Sequence, residues 1–366
     1  MKSSVLFVHS SDELYGADRM LLEIVEAARA DVEVEVWLPT DLVHPTDPLC
    51  AELESRGITV RHVDLPILRR ALRTPSGLVT LLRRSTALIS MIRNAQPQAI
   101  YCVTSAALLA APLARIAKVR TVLAHFQEIW SSSDRVVLGT LASACHSAIS
   151  ISGAVQASLP RRLRDRTTVV LNGTPEPAPS PSLDSHTGTL NFLVASRWTA
   201  WKGHATLLRA WAQAGDPGRL VVLGGPPPSG NAVDVKKMVS ELARPDTVQV
   251  VGEVHDASEA ILDADVVVMP SDQPEPFGLV AIESFARGRP VIASAGGGLL
   301  EIITPGRDGW LFAPGDADAL ASILRDLTRE TVEAAGEQAR KRFRESFTSE
   351  AYAERWRQAV LPAVTS

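Results

Sequence analysis

Residues 265–283 read Asp265-Val266-Val267-Val268-Met269-Pro270-Ser271-Asp272-Gln273-Pro274-Glu275-Pro276-Phe277-Gly278-Leu279-Val280-Ala281-Ile282-Glu283. The unbroken apolar run 266–269 has the composition of a strand buried on both faces, as in a parallel sheet. From Gly278 the apolar residues recur at helical spacing, which predicts a helix beginning near Phe277. A strand end that runs into a helix N-terminus presents free backbone N–H groups and a positive dipole end, a setting that suits a phosphate. Glu275 precedes that terminus, and Glu283 follows about two turns later, a spacing that can set both carboxylates on one side of one element. Carboxylates do not suit a phosphate. They suit hydroxyl groups on either side of it, those of a sugar and those of a ribose. The plainer alternative makes Glu275 a helix cap and Glu283 a solvated surface charge.

Outward from this stretch, strands and helices alternate along the 366-residue chain, which is long enough for two cores. In the first half, strands are expected at 5–8, 32–38, 59–63, 99–103, 119–124, 148–152 and 168–171, with helices at 20–30, 49–56, 78–94 and 105–117. After a Pro/Ser-rich stretch (175–188) a second series follows, with strands at 190–195, 220–223, 248–251, 266–269 and 291–293. Its helices fall at 205–213, 233–242, 257–262 and 278–287, and the chain from 317 to 359 is mostly helical. This order predicts an α/β protein of two Rossmann-like doubly wound domains facing a central cleft. The N-terminal domain spans 1–174, the linker 175–188 and the C-terminal domain 189–345. A last helix (346–366), with Trp356 as a candidate anchor, is expected to return to the first domain.

Composition narrows the class. With 46% hydrophobic and 21% charged residues the chain reads as soluble and globular rather than disordered. Cys50, Cys102 and Cys145 are scattered without metal-type spacing and read as reduced core residues of a cytoplasmic protein. Lys2 leads straight into a short strand, so no signal peptide is expected. The most apolar run, 99–114, is broken by Thr104, Ser105 and Pro112 and is too short to span a bilayer.

Three further loops carry chemistry. Ser196-Arg197-Trp198-Thr199-Ala200-Trp201-Lys202-Gly203 lies between a strand and a helix and puts two cations, a bidentate fork and a point charge, where a diphosphate could be held. The plainer reading is an ordinary surface loop. Gly296-Gly297-Gly298 precedes Glu301 at another strand end and can bring backbone N–H groups close to an anion, or merely form a turn. Gly224-Gly225 reads as a plain turn. Neither is a GxGxxG fingerprint nor a P-loop, which disfavours a nicotinamide dehydrogenase and a P-loop NTPase.

The order Arg197…Lys202-Gly203, Val251-Gly252, Asp265…Pro270-Ser271, Glu275-Pro276-Phe277-Gly278…Glu283, Gly288-Arg289-Pro290-Val291, Gly297…Glu301, Gly309-Trp310-Leu311-Phe312 resembles family 4 of the retaining GT-B glycosyltransferases, the group 1 glycosyl transferases. The match covers nearly all of the second half and is weaker in the first. The resemblance implies a nucleotide-diphosphate sugar as donor, a hydroxyl acceptor such as a lipid-linked or cell-surface glycan precursor, and no metal or other cofactor. It implies that Arg197 and Lys202 hold the diphosphate, that Glu275 and the backbone of Phe277, Gly278 and Leu279 contact the donor sugar and phosphate, and that Glu283 takes the ribose hydroxyls. Val251 and Gly297 are carried over as further donor contacts. Ser196 stands where the family usually has glycine, and Trp198 and Trp201 replace an aliphatic and a polar residue.

In the first half the same resemblance assigns Gly16, in His9-Ser10-Ser11-Asp12-Glu13-Leu14-Tyr15-Gly16-Ala17-Asp18, to the donor phosphate, and His125 to the donor sugar, with Glu128 nearby. A strand-end histidine is otherwise often structural. One charge feature stands apart from the family: 65–127 holds nine basic residues (Arg69, Arg70, Arg73, Arg83, Arg84, Arg93, Arg115, Lys118 and Arg120) and no acidic one. It includes a basic amphipathic helix suited to weak contact with an anionic membrane surface, which would place the protein peripherally on the inner face, or to a solvated helix face. An acidic chain without interleaved aromatics makes nucleic acid a poor partner. Rival readings are a catalytically silent sugar-binding partner subunit of the same fold, a nucleotide-sugar epimerase, and a phosphorylase, which would need a pyridoxal-binding lysine.

Overall fold

Runs that are apolar on both faces build two separate parallel sheets in the computed structural model, which describes all residues except 1, 42–47, 70, 71, 73, 179–182, 216, 228–231, 255 and 366. The chain divides into one unit of Met1–Asn172 with Ser349–Ser366 and a second of Gly173–Thr348.

The first unit contains β1 (Ser4–Val8), β2 (Glu33–Pro39), β3 (Thr59–Val63), β4 (Ala99–Cys102), β5 (Thr121–Phe126), β6 (Ser147–Ser150) and β7 (Thr167–Val169). Their order is β3-β2-β1-β4-β5-β6-β7. In the middle of the sheet Phe7 lies opposite Val36 on one side and Tyr101 on the other, all three fully buried. Burying two aromatics and a valine there is worth roughly 1.5–3 kcal/mol for each side chain. The C-terminal helix Ser349–Thr365 packs on this unit, where Trp356 is buried and its Nε1–H donates to the Tyr101 hydroxyl at 3.2 Å. Thr121 Oγ1 donates to the Ala363 carbonyl at 3.0 Å near the helix end.

The second unit contains β8 (Asn191–Ala195), β9 (Arg219–Leu223), β10 (Val248–Gly252), β11 (Val266–Met269), β12 (Val291–Ser294) and β13 (Gly309–Phe312), ordered β10-β9-β8-β11-β12-β13. All strand pairs in both sheets are parallel. In each sheet the order reverses direction once, between β1 and β4 and between β8 and β11. At such a switch point adjacent crossovers lie on opposite faces and leave a crevice outside the strands' carboxyl ends.

Part of the stretch expected as linker is fastened to the second unit. Leu183 enters that unit's apolar core, and Glu176 pairs with Arg340 at 2.7 Å and Arg344 at 3.0 Å. The helix expected at 105–117 is divided into a short 3₁₀ turn, Ser105–Ala107, and a helix Ala110–Ile116. Pro112 accounts for the restart, since a residue without N–H is tolerated in a first turn and not in a helix interior. The helix Ser132–Ala142 has no counterpart among the expected elements. Its Ser131/Asp134 capping box opens it, but Val136 and Val137 are 70% and 60% exposed and blur the amphipathic pattern.

Candidate functional site

The second unit's loops converge at its switch point. After β8 the chain turns through the 3₁₀ segment Ala200–Lys202 and reaches Gly203, which holds φ 73° before the helix His204–Ala214. A Cβ at Gly203 would lie 1.8 Å from the Pro270 carbonyl oxygen just past β11, so only glycine lets the two loops approach. The loops are also tied directly: the Asp272 N–H donates to the Trp201 carbonyl at 2.8 Å, and Thr206 Oγ1 donates to Asp272 Oδ1 at 2.8 Å.

This approach brings Lys202 Nζ to 2.7 Å from Glu275 Oε1, while Ser271 Oγ donates to the same carboxylate oxygen. The Lys202 ammonium also lies 4.2 Å from the centre of the Trp201 ring. Glu275 is 6% exposed at its side chain and Lys202 19%. The pair is therefore shielded but reachable. The next loop joins from β12, where Glu275 pairs by backbone with Gly297 and the Gly298 N–H donates to the Glu275 carbonyl at 2.8 Å. A Cβ on Gly297 would collide with that carbonyl oxygen at 1.9 Å.

The helix in this stretch is Leu279–Phe285, later than expected, because Gly278 has φ 119° and cannot be helical. Glu275 therefore sits in the loop and not on the helix that carries Glu283, so the two carboxylates do not share an element. Phe277 is buried with its ring 6.4 Å from that of Phe347, and Leu279 and Glu283 are half-buried. Arg197, half-buried, lies in the same loop as Lys202. Val251 is placed differently from the rest. Its side chain is 49% exposed and lines an open cavity of about 900 Å³ over β8, β9 and β10, whose lining includes neither Lys202 nor Glu275.

Two supports of the site escaped the sequence. Gly224, read as a plain turn, has φ 113°, and a Cβ there would lie 1.9 Å from the Ser196 carbonyl oxygen. With the Trp198 N–H donating to the Gly225 carbonyl at 2.8 Å, the glycine pair braces the loop that carries Arg197. His204 is buried beside Ser196 (3.4 Å), and burial, then the positive charge of Lys202, lowers its pKa to about 4. It stays neutral at pH 7.

In the first unit His125 is the penultimate residue of β5, fully buried, with no hydrogen-bond partner on either ring nitrogen among the described residues and its ring edge-on to Tyr101 at 6.1 Å. Burial lowers its pKa to about 3, so this imidazole is neutral. Glu128 is exposed as a residue, though its carboxylate reaches the buried Ser105. It accepts from Ser105 Oγ at 2.6 Å, and burial raises its pKa. Gly16 opens the helix Gly16–Arg29 and is exposed. The sequence did not point to the buried pair behind it, His9 Nε2 and Asp18 Oδ1 at 2.7 Å, with Ser11 Oγ donating to the same oxygen at 2.5 Å.

The basic sector is less bare than its composition suggests. Acidic residues from outside the window reach into it: Asp41 pairs with Arg69 and Arg84 at 2.6 and 2.9 Å, and Asp64 with Arg83 and Arg84 at 3.0 and 2.6 Å. Arg70 and Arg73 lie outside the described residues. The helix Pro75–Ala95 nonetheless exposes Leu78, Val79 and Leu82 by 63%, 68% and 67%. Among the described residues, no helix is long and apolar enough to cross a membrane.

Comparison with known proteins agrees with the switch-point geometry. Residues 180–346 match the family model described as glycosyl transferases group 1. The second unit belongs to the group 1 glycosyl transferases. One relative of this group 1 unit is a D-inositol 3-phosphate glycosyltransferase from Stackebrandtia nassauensis, 39% identical over 128 residues, which is 32% of this chain and 28% of that protein. Another is a sulfoquinovosyl transferase from Arabidopsis thaliana, 43% identical over 89 residues, 23% of this chain and 17% of that protein. The matches thus span under a third of each of these relatives. By fold, the chain is similar to Anabaena HepE, whose crystal structure was solved in complex with UDP and glucose, with a TM-score of 0.80, 22% identity and coverage of 98% of this chain and 99% of that one. That likeness identifies the GT-B fold.

Proposed function

We propose that this protein is a retaining glycosyltransferase that moves a sugar from a nucleotide-diphosphate donor to a hydroxyl acceptor. The observation that carries the reading is the Lys202–Glu275 pair at the β8/β11 switch point, inside the segment that matches the group 1 glycosyl transferases. An anion there would meet Lys202 and Arg197, the N-terminus of Leu279–Phe285 and the glycine loop 296–298, while Glu275 would accept from sugar hydroxyls and Glu283 from those of the ribose. A relative named D-inositol 3-phosphate glycosyltransferase supports a hydroxyl acceptor on a phosphorylated molecule. We assign acceptor recognition to the strand-end loops of the first unit.

In the proposed mechanism no side chain serves as nucleophile. The donor ionises towards an ion pair while Arg197 and Lys202 stabilise the charge growing on the departing diphosphate. A diphosphate oxygen on the same face takes the acceptor's proton, which delivers the hydroxyl with retention. His125, neutral and without a hydrogen-bond partner among the described residues, is assigned to a donor-sugar hydroxyl. The chemistry needs no metal in this account. The exposed Leu78, Val79 and Leu82 are assigned to weak contact with an anionic membrane on the cytoplasmic side. Salt-sensitive binding to acidic but not neutral vesicles is expected; equal binding to both would remove that part.

A panel of nucleotide-diphosphate sugars, followed by nucleotide release and product analysis, tests the reading. Release that rises with added acceptor and a new glycosidic product is expected. A changed donor sugar without transfer would identify an epimerase, and donor binding without turnover a silent subunit.

A further inference from the structure

Asp12, Cys50 and His62 come from the loop after β1, the helix Pro48–Ser55 and β3, and the fold brings their donor atoms within 4.8 Å of one another. We propose that these three residues form a binding site for a thiophilic divalent cation of the zinc class, separate from the donor site of the second unit.

The donor set is the first argument. A thiol, an imidazole and a carboxylate together match the borderline character of Zn²⁺ and Co²⁺, whereas Mg²⁺ and Ca²⁺ select oxygen alone. The dimensions are the second. Bonds of about 2.3 Å to sulfur and about 2.0–2.2 Å to nitrogen and oxygen put two ligand atoms of a tetrahedral metal about 3.3–3.7 Å apart. The donor atoms, all within 4.8 Å of one another, close on a cation with side-chain movements of about 1 Å. Burial is the third. The Asp12 side chain is 1% exposed, Cys50 is buried, and His62 is 38% exposed at its side chain, so two ligands are fixed in the fold and the third lies on the path from solvent.

The hydrogen bonds around the cluster show how it would load. His62 Nε2 and Asp12 Oδ2 are in hydrogen-bond contact at 2.7 Å, while Asp12 Oδ1 accepts the Cys50 N–H at 2.8 Å. Binding would replace that contact with a bond from each atom to the cation, the imidazole keeping its proton on Nδ1 and Cys50 releasing its own to solvent as the thiolate forms. The carboxylate would keep its bond to the helix N–H through its other oxygen and so act as a preset anchor. Three protein ligands leave a fourth position for water. No sequence motif announces the site, because the residues are 38 and 50 positions from Asp12 and meet only when β3 joins the sheet. A loaded cation would tie β3 and the helix at Pro48 to the loop that leads into Gly16–Arg29.

The test uses the full chain, reduced and stripped with chelator, and titrates it with Co²⁺ alone. One equivalent is expected, with a thiolate-to-cobalt charge-transfer band that Zn²⁺ abolishes by competition and that weakens as pH falls. Cys50→Ser should lose the band entirely and His62→Ala should weaken binding at least tenfold, with unchanged far-ultraviolet dichroism in both. His62 is partly exposed, so its variant keeps the test usable if Cys50→Ser misfolds. Absence of the band in the wild type, or a band that survives in Cys50→Ser, overturns the proposal.

Discussion

Replacing Lys202 by Met separates a functional pair from a merely structural one. The side chain keeps most of its length and loses its charge, which leaves the Glu275 carboxylate, 6% exposed, facing Ser271 without its cation. Breaking a fully buried pair costs about 3–5 kcal/mol, and the 19% exposure of Lys202 lets water return, so about 1–3 kcal/mol is expected here. In thermal unfolding that is about 2–4 °C for each kcal/mol in a unit of this size. Exchanging Glu275 for Gln in the same chain removes the orphaned charge, and the double variant should recover most of the lost stability. Activity should behave differently. The departing diphosphate has lost one of its cations in both variants, so turnover should fall by about 10²–10³, or about 2.7–4 kcal/mol, and stay low in the double variant. Unfolding scans and steady-state nucleotide release measure the two quantities on the same samples. If activity returns together with stability, the pair only holds the loops and the reasoning is wrong.

Glu283→Gln should raise the donor KM by at least tenfold with a smaller change in kcat, as expected for a group that binds the ribose in ground and transition states alike; a selective loss of kcat would refute that role. His204, whose pKa burial lowers from 6.5 to about 4, binds its proton more readily in the unfolded chain, so stability should fall as pH drops through that interval by up to about 1.36 kcal/mol per pH unit. His204→Gln should flatten that slope in denaturant titrations at stepped pH, and an unchanged slope would show that other groups set it. Treatment with chelator should leave turnover at saturating donor unchanged, since two cations and a helix terminus are assigned the diphosphate; abolished turnover would contradict this.

Much of the fold was legible because its signals are local. The run Val266–Met269 is buried on both faces, and the alternation of strands and helices fixes parallel sheets. What the sequence hid depends on contacts across long separations. Lys202 and Glu275 are 73 positions apart and meet only because β8 and β11 are neighbours. Gly224 looks like any turn glycine until the Ser196 carbonyl is placed 1.9 Å from its missing Cβ. The acidic residues Asp41 and Asp64, invisible to a count within 65–127, neutralise part of the basic sector by folding onto it. The expectation that Glu275 and Glu283 lie on one side of one element failed at Gly278, whose positive φ delays the helix to Leu279 and leaves Glu275 in the loop before it.

The most direct test of the central claim, that the β8/β11 switch point holds a nucleotide-diphosphate sugar, is calorimetric titration of the wild type and the Lys202→Met/Glu275→Gln chain with a panel of such donors. The account predicts that at least one donor binds the wild type and that the double variant binds it tenfold or more weakly. Equal affinity in both chains, or no binding across the panel, would contradict it.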